Sequence, residues 1–326
     1  MTVLEAIQKS TEFLAKKGVE SPRLQTELLL AHLLKLPRMK LYLNFERSLG
    51  PAEVDDLRDF VKRRAQREPL QHITGSTSFC GFEITVNRHV LIPRPETEML
   101  AELGWQFLNQ LSEGRAPNST ENENGASQSS ALRALDFGTG SGCIAIALAA
   151  KCPSAKIVAT DVSPDALSMA KDNAARNHVT ERIDFLRSDG FLALSSRWGE
   201  RPREPEATAN DGLPEVSPHQ FDLIISNPPY IPSAEIGTLQ PEVRNFDPPG
   251  ALDGGPDGLD FYRLLATGTK PFLKPDGKIM LEFGDGQAGA IGNIFATEKW
   301  IVEAVREDYS HRERFLIAKP PSSLSA

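Results

Sequence analysis

Hydrophobic positions at helical spacing open the chain. In MTVLEAIQKSTEFLAKKGVE, Val3, Leu4, Ile7 and Leu14 share one face with charged residues opposite, which predicts an amphipathic helix. Ser21 followed by Pro22 is an N-cap and first-turn pair for a second helix, whose apolar face runs through Leu24, Leu28, Leu29, Leu33 and Leu34 until Pro37 ends it. A further start at Gly50 and Pro51 leads through Val54, Leu57, Phe60 and Val61 into the basic run Lys62, Arg63, Arg64 and Arg67. Cations there suit the negative end of a helix dipole on a solvated face; a docking patch for an acidic or RNA-containing partner is the other reading.

The period then changes. From His72 to Leu100 the pattern alternates through Phe79, Phe82, Ile84 and Val86, with Gly75 and Gly81 as turn residues, giving a β-hairpin that Pro93 and Pro95 close. Beyond it, strands are expected at 131–137, 156–161, 182–189, 221–226 and 277–284, and helices at 142–151, at 164–177 behind Ser163 and Pro164, and at 257–270. Such alternation predicts an α/β fold, a parallel sheet with helices on both faces. The tail, 300–308 and 312–319, reads as two strands joined too tightly for a crossover helix. Residues 112–130 and about 196–220 are polar, small and aperiodic, the pattern of disordered insertions.

Composition narrows the function classes. With 326 residues, two domains are expected. The longest apolar stretch, near CIAIALAA, is far short of the ~18 residues of a membrane span, and the first 20 residues lack a signal peptide's basic start and apolar block, so a cytoplasmic protein is expected. A net charge of −8 argues against bulk nucleic-acid binding. Cys80, Cys143 and Cys152 have no paired metal-ligand spacing and are too few for a disulfide framework; buried, inert thiols and no metal site are expected.

The candidate chemistry lies where strands end. LDFGTGSGCIAIALAA joins a strand to a helix through Gly138, Gly140 and Gly142, which would let the backbone approach a ligand and present helix N-terminal amides to it; small residues needed only for packing would give the same pattern. Asp161 closes the second strand 19 residues after Gly142, where a carboxylate can accept from both ribose hydroxyls of a nucleoside. Asp189 could accept from an adenine amino group, with the Gly190 backbone and the Phe191 ring lining the base pocket, or could cap a turn before glycine. Asp136 could reach the amino group of a cofactor tail or brace the loop. In SNPPYIP, the prolines lock Asn227 and Pro228 in extended backbone, so that the Asn227 side-chain carbonyl and the Pro228 main-chain carbonyl form two fixed acceptors suited to a planar NH2, with Tyr230 as a flat apolar face.

Glycine loop, acidic residue and Asn-Pro-Pro-Tyr, in that order and with a closing hairpin, resemble the S-adenosylmethionine-dependent methyltransferases of the seven-stranded Rossmann-like class. HITG, FEITVNRHVLIPRPETEML, DFGTGSG, SNPPYIP, ALDGGPDGLDFYR and LKPDGKIMLEFG together resemble the release factor glutamine methyltransferase family, called HemK or PrmC, over nearly the whole chain. The resemblance implies a helical N-terminal substrate-recognition domain at 1–72, a linking hairpin at 73–95 and a methyltransferase domain at 96–320. It also implies methylation of the side-chain amide of the glutamine in the Gly-Gly-Gln loop of peptide chain release factors, with S-adenosyl-L-homocysteine as product and a monomer as the working unit. By position, Gly138, Thr139, Gly140, Ser141 and Gly142 hold the cofactor, Asp161 takes the ribose, and Asp189 with Gly190 borders the adenine. Asn227, which also borders the cofactor, grips the amide with Pro228, and Pro229 and Tyr230 complete the substrate site. One departure is His311, where the family pattern leads to an expected glycine.

The implied chemistry is in-line attack of the amide nitrogen on the sulfonium methyl. Three rivals stand beside it: an adenine or guanine N-methyltransferase, which would need a flipped or unpaired base; a non-catalytic adaptor for release factors or ribosomes; and a nicotinamide dehydrogenase, which the closing hairpin opposes.

Overall fold

The computed structural model describes residues 1–115, 131–194 and 221–321. Its N-terminal part is helical: α1 (Val3–Lys16), α2 (Pro22–Leu34), α3 (Arg38–Leu41), α4 (Pro51–Ala65) and α5 (Leu70–Thr74). They close around their own apolar cluster, which includes Val3, Ile7, Leu14, Leu29, Leu30, Leu57 and Val61. Thr2 caps α1 with a full capping box, and the Glu53 carboxylate accepts from the Gly50 amide at 2.9 Å to start α4. At α2 the expected cap is not made: Ser21 sits in the left-handed region at φ 46° and its side chain accepts no bond from the helix, so Pro22 alone sets the start. The buried face of α2 is also rotated from the expected one, to Thr26, Leu29 and Leu30, while Leu24 is exposed. Packing against α1 and α4 selects the face, and Glu27 is drawn inside by Arg23, Arg38 and Tyr42.

The hairpin follows as β1 (Ser76–Phe79) and β2 (Phe82–Thr85), antiparallel, turning at Cys80 and Gly81. Asn173 fastens it, donating to the Thr85 carbonyl and accepting from the Thr85 amide. Next comes α6 (Pro95–Gly114), which the sequence reading lacked; Pro95 starts this helix as well as closing the hairpin. Residues 112–115, expected to be disordered, form its last turn and C-cap, and the remainder of both expected insertions lies outside the described residues. A Cβ at Gly104 would meet Ile225 and Leu148 side-chain atoms at 3.0 Å, so glycine lets α6 press onto the sheet.

The sheet runs through β3 (Leu132–Phe137), α7 (Cys143–Lys151), β4 (Ala155–Asp161), α8 (Pro164–Arg176), β5 (Ile183–Arg187), β6 (Phe221–Ser226), α9 (Pro241–Phe246), α10 (Asp260–Gly268), β7 (Leu273–Glu282), α11 (Ala288–Thr297), β8 (Ile301–Glu307) and β9 (Glu313–Lys319). Its seven strands lie in the order β5-β4-β3-β6-β7-β9-β8, with β9 antiparallel to both of its neighbours. All six residues of β6 are buried, as a central strand covered on both faces requires. Apolar clusters occupy the two faces, one around Leu100, Leu148 and Ile225, the other around Leu135, Ile224 and Phe295. The chain lays β3, β4 and β5 to one side and returns to place β6 beside β3, so the ends of β3 and β6 flank the switch point where ligands bind in such sheets. His311 turns the last hairpin at φ 59°, a conformation that favours glycine.

Candidate active site

The loop after β3 is braced from below. Gly138 and Thr139 donate to the Thr160 carbonyl at 2.9 and 2.8 Å, Gly142 donates to Thr139, and the Gly140 amide reaches the Asp161 carboxylate at 2.9 Å. These four loop amides are therefore spent on the protein, and of the helix N-terminal amides expected to face a ligand, that of Ala145 bonds Asp136 instead. A pyrophosphate needs such amides free, which counts against a dinucleotide. The three glycines separate by role. A Cβ on Gly142 would lie 3.0 Å from Ala170 Cβ, so that position is a packing contact. A Cβ on Gly138 or Gly140 would meet nothing within 4 Å, which leaves open space in front of the loop. Thr139 and Ser141 are buried; the Thr139 hydroxyl donates to Asp136 at 2.6 Å and the Ser141 carbonyl accepts from Asn173 at 2.9 Å. Both support the loop from inside.

Three aspartates stand at or just beyond the ends of β3, β4 and β5. Asp136 is fully buried; its Oδ2 accepts from Thr139 and, at 3.0 Å, from the Ala145 amide, while Oδ1 has no partner. Burial pushes its carboxyl up to about 7. One oxygen thus braces the loop, as one of the two sequence readings had it, and the other is left without a partner. Asp161 is half-buried, with Oδ2 on Gly140 and Oδ1 on the Ser163 amide at 2.9 Å, so this carboxylate is held rigidly while each oxygen keeps acceptor capacity. Asp189 is exposed at the next strand end and its side chain bonds no described residue, so it caps no turn. The Phe191 ring, expected to line the base pocket, is half-buried and packs against Phe137 and Phe272, at centroid distances of 5.1 and 5.6 Å.

The loop after β6 is tied to the first one at its root, where Ser226 Oγ donates to the Phe137 carbonyl at 2.6 Å. Asn227 is half-buried; its Nδ2 donates to Thr97 Oγ1 at 3.0 Å, whereas Oδ1 takes no bond from any described residue and is open. The Pro228 carbonyl also accepts nothing among the described residues. Pro229 is half-buried beside it. Tyr230 is anchored through its backbone: Gln287 donates to its carbonyl at 2.9 Å, and Ile231 exchanges bonds with Leu252 and Gly254. A Cβ on Gly258 would come within 2.4 Å of that same carbonyl, so glycine there is a condition of the close approach. Burial pushes the Tyr230 phenol up to about 12, which keeps it neutral and unsuited to act as a base. Thr97, Glu282, Gln287 and Gly258 were not singled out in the sequence, although Thr97, Glu282 and Gly258 lie in its runs PRPETEML, KIMLEFG and GGPDGL.

The basic run at the end of α4 is only partly the solvated run at the negative end of the dipole that was expected: Lys62 is exposed in the last turn, while the arginines pair within the protein. Arg64 is buried and Arg67 half-buried, and both reach Glu242 of α9, at 2.7 and 2.8 Å; Arg63 is engaged by Glu68. The run ties the N-terminal helices to the sheet domain beside a cavity of about 360 Å³ that Arg94 and Asp247 also line, away from both loops. Cys143 and Cys152 are buried as expected, whereas Cys80 is half-buried; burial pushes the Cys80 and Cys143 thiols upward. No helix among the described residues is long and apolar enough to cross a membrane.

A seven-stranded sheet with one reversed strand, a glycine loop whose amides are internally spent, an acidic residue at the second strand's end and an acceptor-lined loop after β6 define a Rossmann-like methyltransferase. Residues 5–75 match the family model of the PrmC N-terminal domain, and residues 121–197 that of ribosomal protein L11 methyltransferase (PrmA). The chain is 40% identical over 295 residues to the release factor glutamine methyltransferase of Geobacter sulfurreducens, spanning 90% of this chain and 88% of that one. It is 37% identical to the protein of the same description from Chlorobaculum tepidum, over 97% and 96% of the two chains. A bifunctional methyltransferase of Rickettsia conorii is 35% identical over 98% of this chain, which spans 58% of that longer protein. The chain belongs to the release factor glutamine methyltransferase family, and family and fold together imply S-adenosylmethionine as the methyl donor.

Proposed function

We propose that this chain methylates the side-chain amide nitrogen of the glutamine in the Gly-Gly-Gln loop of peptide chain release factors. The observation that carries the reading is the state of Asn227. Its NH2 is turned back onto Thr97, so its carbonyl and that of Pro228 stand as two unbonded acceptors at the switch point. A carboxamide NH2 offers two donors in one plane and fits them both.

The residues around the open space fit the cofactor. Asp136 Oδ1 is a buried acceptor lacking a donor, as an α-ammonium requires, and Asp161 lies where ribose hydroxyls would reach it. In this reading Gly138 and Gly140 would face the cofactor, Asp189 and Gly190 would border its adenine, and Thr139, Ser141 and Gly142 shape the loop from behind. Bound there, S-adenosylmethionine supplies a sulfonium methyl for in-line displacement by the amide nitrogen. Asn227 and Pro228 aim that nitrogen, and alignment of this kind can lower a barrier by ~7–11 kcal/mol. Their oxygens also favour the positive charge that grows on the nitrogen as the C–N bond forms and the C–S bond breaks; the product leaves as the neutral thioether, and the excess N–H proton, made acidic by the new bond, passes to solvent water. Tyr230 supplies a flat wall for the amide plane. In this reading 1–72 recognises the release factor, 73–95 links, and 96–320 carries the chemistry, as a cytoplasmic monomer with no membrane or DNA partner.

The test is methyl transfer from labelled cofactor to purified release factors, with the methyl located by peptide mass spectrometry, for wild type and Asn227→Ala. The variant should lose ~3–4 kcal/mol of activation free energy, by analogy with removal of one oxyanion-hole group, while calorimetric cofactor affinity is kept. Near-wild-type activity would refute the clamp, and label on nucleic acid instead of glutamine would move the reading to a base methyltransferase.

A further inference from the structure

We infer that Thr97 and Glu282 are positioning residues that decide which end of the Asn227 amide faces the substrate. The inference rests on the clamp reading above. An asparagine amide turned over about its last bond keeps its shape and exchanges oxygen for NH2. In the wrong orientation Asn227 would present donors to a substrate group that is itself a donor, and the clamp would repel what it is meant to hold. Something has to choose, and nothing in Asn227 itself does.

The choice is made one layer behind. Thr97 Oγ1 lies 3.0 Å from Asn227 Nδ2 and 2.7 Å from Glu282 Oε2. A hydroxyl has one proton to give. An ionised carboxylate can only accept, so that proton goes to Glu282, and Thr97 is left to accept from Asn227. The end of the amide at Thr97 must then be the NH2, and the carbonyl must face the pocket. Thr97 is 3% exposed and Glu282 2%, so water does not compete for either bond. The chain sets this meeting in two ways. Ser226 pairs with Leu281 in the β6–β7 register, so Asn227 and Glu282 are the next positions out on adjacent strands. Thr97 is delivered by the first turn of α6, where its amide bonds the Arg94 carbonyl.

The groups facing Glu282 come from every side: Glu96 and Arg94 at the start of α6, Arg314 on β9, Tyr230 in the clamp loop, and Tyr262 on α10, whose hydroxyl donates to the Glu282 main-chain oxygen at 2.8 Å. Burial, with a smaller push from Glu96, raises the carboxyl to about 7, while Thr97, Arg314 and Arg94 hold it down. Once protonated, Glu282 can donate to Thr97, whose own proton is then free to turn onto Asn227 and admit the inverted amide. The aligned state belongs to ionised Glu282, so turnover rises as pH rises through that region.

The experiment compares wild type, Thr97→Val, Thr97→Ser and Glu282→Gln at saturating release factor and cofactor, with thermal melts and calorimetric cofactor affinity alongside. Thr97→Val should lower kcat about 10- to 100-fold at unchanged cofactor affinity, and Thr97→Ser, which keeps the hydroxyl, should stay within about threefold of wild type. Folded Thr97→Val at the wild-type rate, or Thr97→Ser as impaired as Thr97→Val, overturns the relay. Should Thr97→Val fail to fold, Glu282→Gln decides: it conserves volume, and the acidic limb of the wild-type kcat profile should be absent from it, whereas a limb that persists overturns the relay. Wild type that leaves release factor glutamine unmethylated would instead sink the clamp reading on which this one rests.

Discussion

Replacing Gly138 and Gly142 separately by alanine should divide cofactor binding from packing within one loop. Both glycines occupy the left-handed region, at φ 73° and 83°, where an L residue costs ~1–2 kcal/mol. At Gly142 the added Cβ also lies 3.0 Å from Ala170 Cβ and 3.1 Å from Ala170 Cα, and helix backbone cannot yield as a flexible side chain can. Overpacking of that kind adds ~1–3 kcal/mol, so Gly142→Ala should lose about 2–5 kcal/mol of stability. At Gly138 the Cβ meets nothing within 4 Å, and the loss should stop at the conformational ~1–2 kcal/mol. The ranking for cofactor affinity should be the opposite, since only the Gly138 methyl would project into the space in front of the loop. Urea unfolding at one pH gives the first quantity, and calorimetric titration with S-adenosylhomocysteine gives the second. If Gly138→Ala binds cofactor like wild type, or is destabilised as severely as Gly142→Ala, the open space has been misassigned.

Two further outcomes follow from buried charge. Burial raises the Asp136 carboxyl from 3.8 to about 7, so the folded state holds that proton more tightly than the unfolded chain; its contribution to stability is whole below about 4 and is lost as pH rises towards 7. Asp136→Asn should therefore gain on wild type between pH 5 and pH 7.5 in urea unfolding, and a difference independent of pH would contradict the assignment. Glu242→Ala should cost about 2–3 kcal/mol, below the usual loss for a broken buried pair, because Arg64 keeps its bonds to Gln25 and the Glu68 carbonyl and Glu242 is 17% exposed. A loss under 0.5 kcal/mol, typical of a surface pair, would show that α4 is not held by this contact.

The sheet was legible because its strands are short apolar runs bounded by turn residues, and each expected strand is found within a few residues of its place. The helices that escaped were those whose local signals pointed elsewhere. Pro95 follows Pro93 so closely that the pair reads as the end of a hairpin, although the first residue of a helix tolerates proline well. Gly286, Gly289 and Gly292 obscure α11, which Ile291 and Phe295 nevertheless anchor in the core. The site divides in the same way. Asn227 to Tyr230 and Asp161 show themselves by residue type at strand ends. Thr97 with Asn227 and Arg64 with Glu242 are partners across 130 and 178 residues, and no local pattern carries information about a contact made only when the sheet assembles.

Several groups left unbonded around the switch point are acceptors. Asp136 Oδ1, Asn227 Oδ1, the Pro228 carbonyl and the Asp189 carboxylate are acceptors, while the amides of Gly138, Thr139, Gly140 and Gly142 and the NH2 of Asn227 are already engaged. A pocket with acceptors to spare selects ligands that bring donors: an ammonium, ribose hydroxyls, an amino group, a carboxamide. At Asn227 and Pro228 it disfavours a carboxylate, whose lone pairs would meet oxygen. The same rule separates glutamine from glutamate, two side chains of nearly equal shape. A glutamate in the clamp would set its own oxygens against Asn227 and Pro228 and forfeit two hydrogen bonds, and a charged group left unpaired costs more than the ~1–3 kcal/mol of a neutral one. Discrimination of this kind needs no additional side chain, provided the Asn227 carbonyl is held facing inward.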